Sequence, residues 1–288
     1  MRTIDVVCFS PDGRSLAIAA RMDGIKIWDL EQELVLAHLS KGGRSVTSID
    51  YSSSGHLLVF ALNDGTVKLW DMTSMTYLLD LPLPQPSSDL IWTTVVISQD
   101  ERIIAASAKS GHVVTWECEK GTWENPIELR LATCPLEEDS HAAYIAFPTA
   151  DNGQLCRTAD VKVELFELPK SERINESENF PGNLPTLKKL TAWPHRWDVP
   201  TSVSWSSDRR WILAGDISGR VECWDEHGSI QFTLYGHSTG MFSLVIIDHV
   251  GMENRLPSVI AVHGNPGNIF ATAVSDCVRI WQYDVISR

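Results

Sequence analysis

The sequence predicts an all-β molecule: a β-propeller of about six four-stranded antiparallel sheets, one of them incomplete, filling residues 1–288 as a single domain. Three observations predict it. One pattern recurs along the chain. Ser10–Leu30, SPDGRSLAIAARMDGIKIWDL, is echoed by Ser52–Met72, SSSGHLLVFALNDGTVKLWDM, and decays through four further copies. Each copy reads polar turn, apolar strand, short turn, then a strand closing on an aromatic. Those aromatics are Trp28, Trp70, Trp116, Phe166, Trp224 and Trp281, 42 to 58 residues apart. A fixed period with the excess placed in loops marks a repeat architecture. Finally, the strands alternate with period two: Ile25 and Ile27 against Lys26 and Trp28, Val67 and Leu69 against Lys68 and Trp70. A sheet this small exposes both faces unless neighbours cover them, and radial stacking covers both.

The repeats divide the chain at 1–45, 46–91, 92–140, 141–198, 199–240 and 241–288. In the first, strands are expected at Asp5–Ser10, Ser15–Ala20, Ile25–Trp28 and Leu34–Leu39. Ser10-Pro11-Asp12-Gly13 between the first two is a turn sequence, with Pro suited to its second position and Gly to its last. Asp23-Gly24 and Asp64-Gly65 make two-residue hairpin turns because both residue types tolerate positive φ. Trp70 is expected to fill a buried aromatic site. Two stretches break the rhythm. Leu81–Ser88 is a proline-rich loop, and 169–185 is a polar, Gly/Pro-punctuated insertion, expected to be mobile, between the third and fourth strands of the fourth repeat. The fourth strand resumes at Leu187–Ala192. The chain opens on an inner strand and stops soon after Trp281, so no spare outer strand is evident. The expectation is an imperfectly closed six-bladed ring or part of a seven-bladed one, prone to association through unpaired edges.

Composition narrows function. The chain carries 43 % hydrophobic residues and a net charge of -13. An acidic chain repels phosphate backbones, and the one short basic cluster, Lys188-Lys189, is too small to reverse this. Direct nucleic-acid binding is therefore not expected. No apolar run approaches the roughly 18 residues of a membrane span. The six cysteines, Cys8, Cys118, Cys134, Cys156, Cys223 and Cys277, are scattered and form no C-x-x-C pair, which reads as buried free thiols in a reducing compartment.

Motifs that could carry chemistry are few. Gly236-His237-Ser238-Thr239-Gly240 matches the G-x-S-x-G elbow of serine hydrolases, which works only on a tight strand-to-helix turn. The run that follows, MFSLVIID, is strand-like, so Ser238 supports only a remote hydrolase alternative. His195-Arg196-Trp197-Asp198 gathers titratable and aromatic groups in one inter-repeat loop but offers no nucleophile. Nine histidines show no metal-ligand spacing, and no phosphate-binding loop is present. Neither a cofactor nor a metal is expected.

The repeats resemble WD40 proteins over essentially the whole length. They are most similar to the WD domain of the fungal Tup-type, Groucho-like general transcriptional corepressors. The resemblance rests on VVCFSPDGRSLAIAA with IKIWDLE, VTSIDYSSSGHLLV with TVKLWD, the insertion after the fourth repeat, and GNIFATAVSDCVRIWQY near the end. It departs from that family by lacking a first blade, an oligomerisation helix and a glutamine-rich region. The resemblance implies a structural hydrogen-bond set in each blade: His, Ser or Thr, the turn Asp and the third-strand Trp. Here its remnants are Asp23 with Trp28, Asp64 with Trp70, and His237 with Asp276 and Trp281.

The function expected is a non-catalytic protein-interaction scaffold in the nucleus or cytoplasm. Partners would bind the upper rim, formed by the loops joining strands two to three and four to one. Candidate contacts are Arg21, Asn63, Trp92 and Tyr144, with Trp197, Thr239 and Phe242 further along. The corepressor resemblance implies DNA-bound repressors or histone tails as partners. The alternative is the sensor propeller of a cytosolic NTPase-type immune receptor.

Overall fold

The computed structural model describes residues 4–20, 24–39, 44–82, 91–123, 125–133, 144–147, 153–159, 162–168, 186–194, 200–205, 211–216, 220–225, 227–235, 243–247, 269–273 and 278–282. All the regular structure among them is strand. Blade 1 is β1 (Ile4–Phe9), β2 (Ser15–Ala20), β3 (Gly24–Asp29) and β4 (Leu34–Leu39). Blade 2 is β5 (Val46–Tyr51), β6 (Leu57–Leu62), β7 (Val67–Asp71) and β8 (Thr76–Asp80). Blade 3 is β9 (Trp92–Ile97), β10 (Ile103–Ala108), β11 (Val113–Thr122) and β12 (Asn125–Thr133). Blade 4 is β13 (Tyr144–Ala146), β14 (Gln154–Ala159), β15 (Lys162–Glu167) and β16 (Lys188–Pro194). Blade 5 is β17 (Pro200–Trp205), β18 (Trp211–Asp216), β19 (Arg220–Asp225) and β20 (Ile230–Tyr235). The sixth sheet has three described strands, β21 (Ser243–Ile247), β22 (Ile269–Ala273) and β23 (Val278–Gln282). Within every sheet the strands pair antiparallel in chain order.

The first strands β1, β5, β9, β13, β17 and β21 neighbour one another in that sequence and surround the axis. Because the side chains of a strand alternate, each blade has a leading face toward the preceding blade and a trailing face toward the next. The cores are the seams between them. Ala17, Ala19, Ile25 and Ile27 of blade 1 pack on Leu58, Phe60 and Leu62 of blade 2. Val59, Ala61, Val67 and Leu69 of blade 2 pack on Trp92, Ile104 and Trp116 of blade 3. Blades 3 and 4 meet through Ala105, Val113, Leu155 and Phe166. Blades 4 and 5 meet through Cys156, Val163, Ile212 and Trp224. Burying such side chains contributes roughly 1.5–3 kcal/mol each, which holds together sheets too small to stand alone.

Two side-chain devices set the turns. In blades 1 to 3 a serine closes the loop before the second strand. Ser10 Oγ donates to Asp12 Oδ1 at 2.6 Å and accepts the Ser15 N–H at 2.9 Å. Ser98 repeats this with Asp100 and Ile103 at 2.6 and 2.9 Å. In blades 1, 2 and 5 the aspartate following the third-strand tryptophan caps the next turn. Asp29 Oδ1 accepts the N–H groups of Glu31 and Gln32, Asp71 Oδ1 that of Thr73, and Asp225 Oδ1 those of His227 and Ser229. Asx turns of this kind satisfy backbone donors that no strand can reach.

The expected first-repeat strands agree with those observed to within one residue at each end. Three features differ from expectation. β11 and β12 form a long hairpin, with register shifts at Cys118–Lys120 and Lys120–Gly121. Its tip is held down by Trp123, which is buried and donates its indole N–H to the Glu101 carbonyl at 2.6 Å. The strand expected at Leu187–Ala192 runs Lys188–Pro194. Trp70 is only partly buried, because the outer end of blade 1 does not cover it fully; among the described residues the fully enclosed tryptophans are Trp92, Trp116 and Trp224. The insertion at 169–185 lies outside the described residues.

Candidate functional site: the upper rim of blades 2 to 4

The hairpins between second and third strands and the entries to the first strands share one face. In blade 2 the two are tied together. Asn63 Oδ1 accepts the Ser45 N–H at 3.2 Å, and the Asn63 N–H donates to the Ser45 carbonyl at 3.0 Å. Arg44 Nε lies 3.3 Å from Asp64 Oδ2, the Arg44 side chain being 60 % exposed. Asp64 Oδ1 also accepts the Thr66 N–H at 3.1 Å, and Gly65 takes φ of 86°, the left-handed conformation this turn requires.

Blade 3 continues the arc. Trp92 donates its indole N–H to the Gly65 carbonyl at 2.5 Å across the seam. The Lys109 N–H donates to the Ile91 carbonyl at 2.8 Å, so the blade 3 hairpin folds onto the start of β9. Ser110 Oγ pairs with His112 Nδ1 at 2.9 Å, and burial holds the imidazole pKa below its ordinary value, keeping the ring neutral at pH 7. Ile91 stands 47 % exposed, the one large apolar side chain so exposed on this face among the described residues.

Blade 4 fastens the far end. Arg157 Nη1 donates to the Gly111 carbonyl at 3.2 Å. Its Nε donates to Glu164 Oε2 at 2.9 Å, its Nη2 bonds the same oxygen, and its guanidinium carbon lies 4.9 Å from the Phe166 ring centroid. Lys189 Nζ reaches Glu164 Oε1 at 2.5 Å. A buried guanidinium that sets two donors on one carboxylate oxygen and a third on a carbonyl gives a fixed geometry that a lysine could not.

The residues singled out from sequence divide accordingly. Asn63 is exposed on the rim, and Tyr144 is half-buried beside Thr158, whose Oγ1 accepts the Tyr144 N–H at 3.1 Å. Trp92 is not a rim aromatic. It is 1 % exposed, because its ring fills the seam between blades 2 and 3 and its one donor is committed to Gly65. Asp64 and Trp70 are not joined in a hydrogen-bond set: Asp64 holds Arg44 and Thr66, and Trp70 Nε1 has no partner. Arg21, Asp23, Trp197, His237, Ser238, Thr239, Phe242 and Asp276 lie outside the described residues, and Trp281 is described only in its backbone. Sequence reasoning missed Ile91, Lys109 and Arg157. A signal existed for Arg157 alone: it is charged where the matching strand positions hold Ile18, Phe60, Ala106 and Ala214.

The radial array of four-stranded blades with a loop-built rim defines a β-propeller of the interaction type. Comparison with known proteins narrows this. Residues 21–95 match the family model described as the anaphase-promoting complex subunit 4 WD40 domain. Residues 187–225 match the WD domain, G-beta repeat. Both matches are to WD40 repeats, in keeping with the observed propeller. It is 21 % identical to Periodic tryptophan protein 2 of Arabidopsis thaliana over 99 % of this chain and 29 % of that protein. It is 21 % identical to Pre-mRNA-processing factor 17 of Homo sapiens over 76 % of this chain and 34 % of that protein. A 24 % share of the chain is 35 % identical to the Small ribosomal subunit protein RACK1y of Oryza sativa, covering 23 % of it. The chain thus spans about a third or less of the length of these relatives.

Proposed function

We infer that this propeller is a non-catalytic docking platform within a larger protein assembly, and that partners engage the upper rim of blades 2 to 4. The observation that carries the reading is the arc itself. Exposed Ile91 offers an apolar anchor, flanked by the charged ends of Arg44, Asp64 and Lys109 on backbone fixed by hydrogen bonds across two seams. A pre-formed surface loses little entropy on binding. The names of the relatives support the setting: a pre-mRNA-processing factor, a small ribosomal subunit protein, and a family model from an anaphase-promoting complex subunit. A nuclear or cytoplasmic site of action follows from the same setting. The resemblance to Tup-type corepressors keeps a narrower form of the reading open, with DNA-bound repressors or histone tails as the partners.

Affinity purification of the full-length protein from cells tests this. Ile91→Asp combined with Lys109→Glu should release a set of partners that the lower-face variant Gln32→Arg retains, with both variants melting like the wild type. Loss of the same partners with Gln32→Arg but not with the rim variant would place binding on the other face.

A further inference from the structure

Lys109 is set apart from the other cations of the molecule. The chain holds 37 Asp and Glu against 24 Lys and Arg, so carboxylates outnumber the basic side chains. Lys68 pairs with Asp80 at 2.6 Å, Arg102 with Glu117 at 3.2 Å, Lys188 with Glu167 at 3.1 Å and Lys189 with Glu164 at 2.5 Å. Arg44 is held by Asp64. Lys109 is exposed and has no carboxylate partner among the described residues. Its place is fixed by the backbone. The Lys109 N–H donates to the Ile91 carbonyl at 2.8 Å, one rung beyond the last ladder pair, Ala108 with Trp92. Side chains across such a rung stand roughly 5 Å apart. The unpaired ammonium therefore neighbours Ile91, the most exposed large apolar side chain among the described residues. Ser110 and His112 beside it add no charge, since the imidazole is neutral at pH 7.

A partner that seats an apolar side chain on Ile91 also strips water from Lys109. A desolvated charge without a counter-ion is costly, so a neutral or basic residue at that point is penalised and a carboxylate is not. We propose, building on docking at the upper rim, that the partner segment bound there is acidic. It sets an apolar residue on Ile91 and, within a residue or two, an aspartate or glutamate carboxylate on Lys109. A single ammonium suits a carboxylate. Phosphoryl groups are read by clustered arginines, and the rim arginine, Arg44, already holds Asp64. The net charge of -13 opposes an acidic partner at long range. At physiological salt that repulsion is screened beyond about 8 Å, which leaves the contact pair to decide.

Carbodiimide coupling of the native assembly isolated from cells, read by mass spectrometry, tests the proposal. This zero-length reagent joins an amine to a carboxylate, with loss of water, only where the two are in contact. The expected product is an amide between Lys109 and an aspartate or glutamate of a partner protein. Lys109→Arg keeps the charge without the reactive amine, so it should retain that partner and lose the link. Lys109→Glu should weaken retention of the same partner in affinity purification at least about tenfold, since it sets like charges together. Equal loss with Lys109→Arg would overturn the role of charge. Phosphatase treatment should leave the partner bound, and its release would make the anion a phosphoryl group and overturn the carboxylate. Retention with Lys109→Glu but loss with Ile91→Asp would overturn the acidic segment and leave docking at the rim standing. Retention with both variants would overturn the two readings together.

Discussion

Tryptophans that look alike in the repeat do different work in the fold. Trp116 is fully enclosed between blades 2 and 3, with its indole N–H on the Pro82 carbonyl at 2.6 Å. Trp70 is partly exposed, meets Tyr77 edge-to-face at 6.2 Å and leaves its N–H unpartnered. Trp116→Ala should therefore cost about 3–5 kcal/mol in denaturant unfolding, and Trp70→Ala less than half of that. Equal losses would mean that Trp70 is as well enclosed as Trp116. At Trp92 the hydrogen bond can be separated from the packing. Trp92→Phe keeps most of the ring but orphans the Gly65 carbonyl, and should cost about 1–3 kcal/mol.

Adjacent blades are joined by polar as well as apolar contacts, and these are the least legible part of the sequence. On β5, Ser48 Oγ accepts the Val95 N–H at 3.0 Å and Asp50 Oδ2 accepts the Ile97 N–H at 2.8 Å, linking blade 2 to blade 3. Burial pushes the Asp50 carboxyl up to about 7, from its ordinary value of 3.8. The folded state then binds more protons than the unfolded chain between those two values, so stability falls as pH rises through that window. Asp50→Asn keeps an acceptor and removes the titration. A flatter profile of melting temperature between pH 4 and 7 is expected, and an unchanged slope would remove Asp50 as its source. The Arg157–Glu164 pair behaves differently, since removing Glu164 takes away the buried carboxylate oxygen that two donors of Arg157 share. Glu164→Leu should cost roughly 3–5 kcal/mol, and Arg157→Leu with Glu164→Leu should recover most of it. Strand order and hairpin turns were readable because period-two alternation and Asp-Gly pairs are local signals. Asp50 was not, because its partner Ile97 lies 47 residues away, and Arg157, though out of place in its strand, gave no sign of its bond to the Gly111 carbonyl 46 residues away. The aspartates of the turn caps were within reach: Asp29, Asp71 and Asp225 each follow the repeat tryptophan.

The molecule as a whole is a stack of seams. Each blade depends on its neighbours for burial, and the proposed docking surface lies in the loops at the rim. That division explains why the architecture was legible and the proposed rim surface was not. The core repeats its pattern across four described seams, whereas Ile91 and Lys109 occur in one blade and carry no repeat signature. It also explains the misplacement of Trp92, an aromatic near the rim whose side chain turns into the seam. The upper-rim reading is tested most directly by chemical cross-linking of the native assembly isolated from cells, read by mass spectrometry at two lysines. Lys109 lies on the upper rim, and Lys188, 74 % exposed in its side chain, lies at the opposite end of blade 4. Intermolecular cross-links to partner proteins should concentrate on Lys109, and partner links confined to Lys188 would contradict binding at the upper rim.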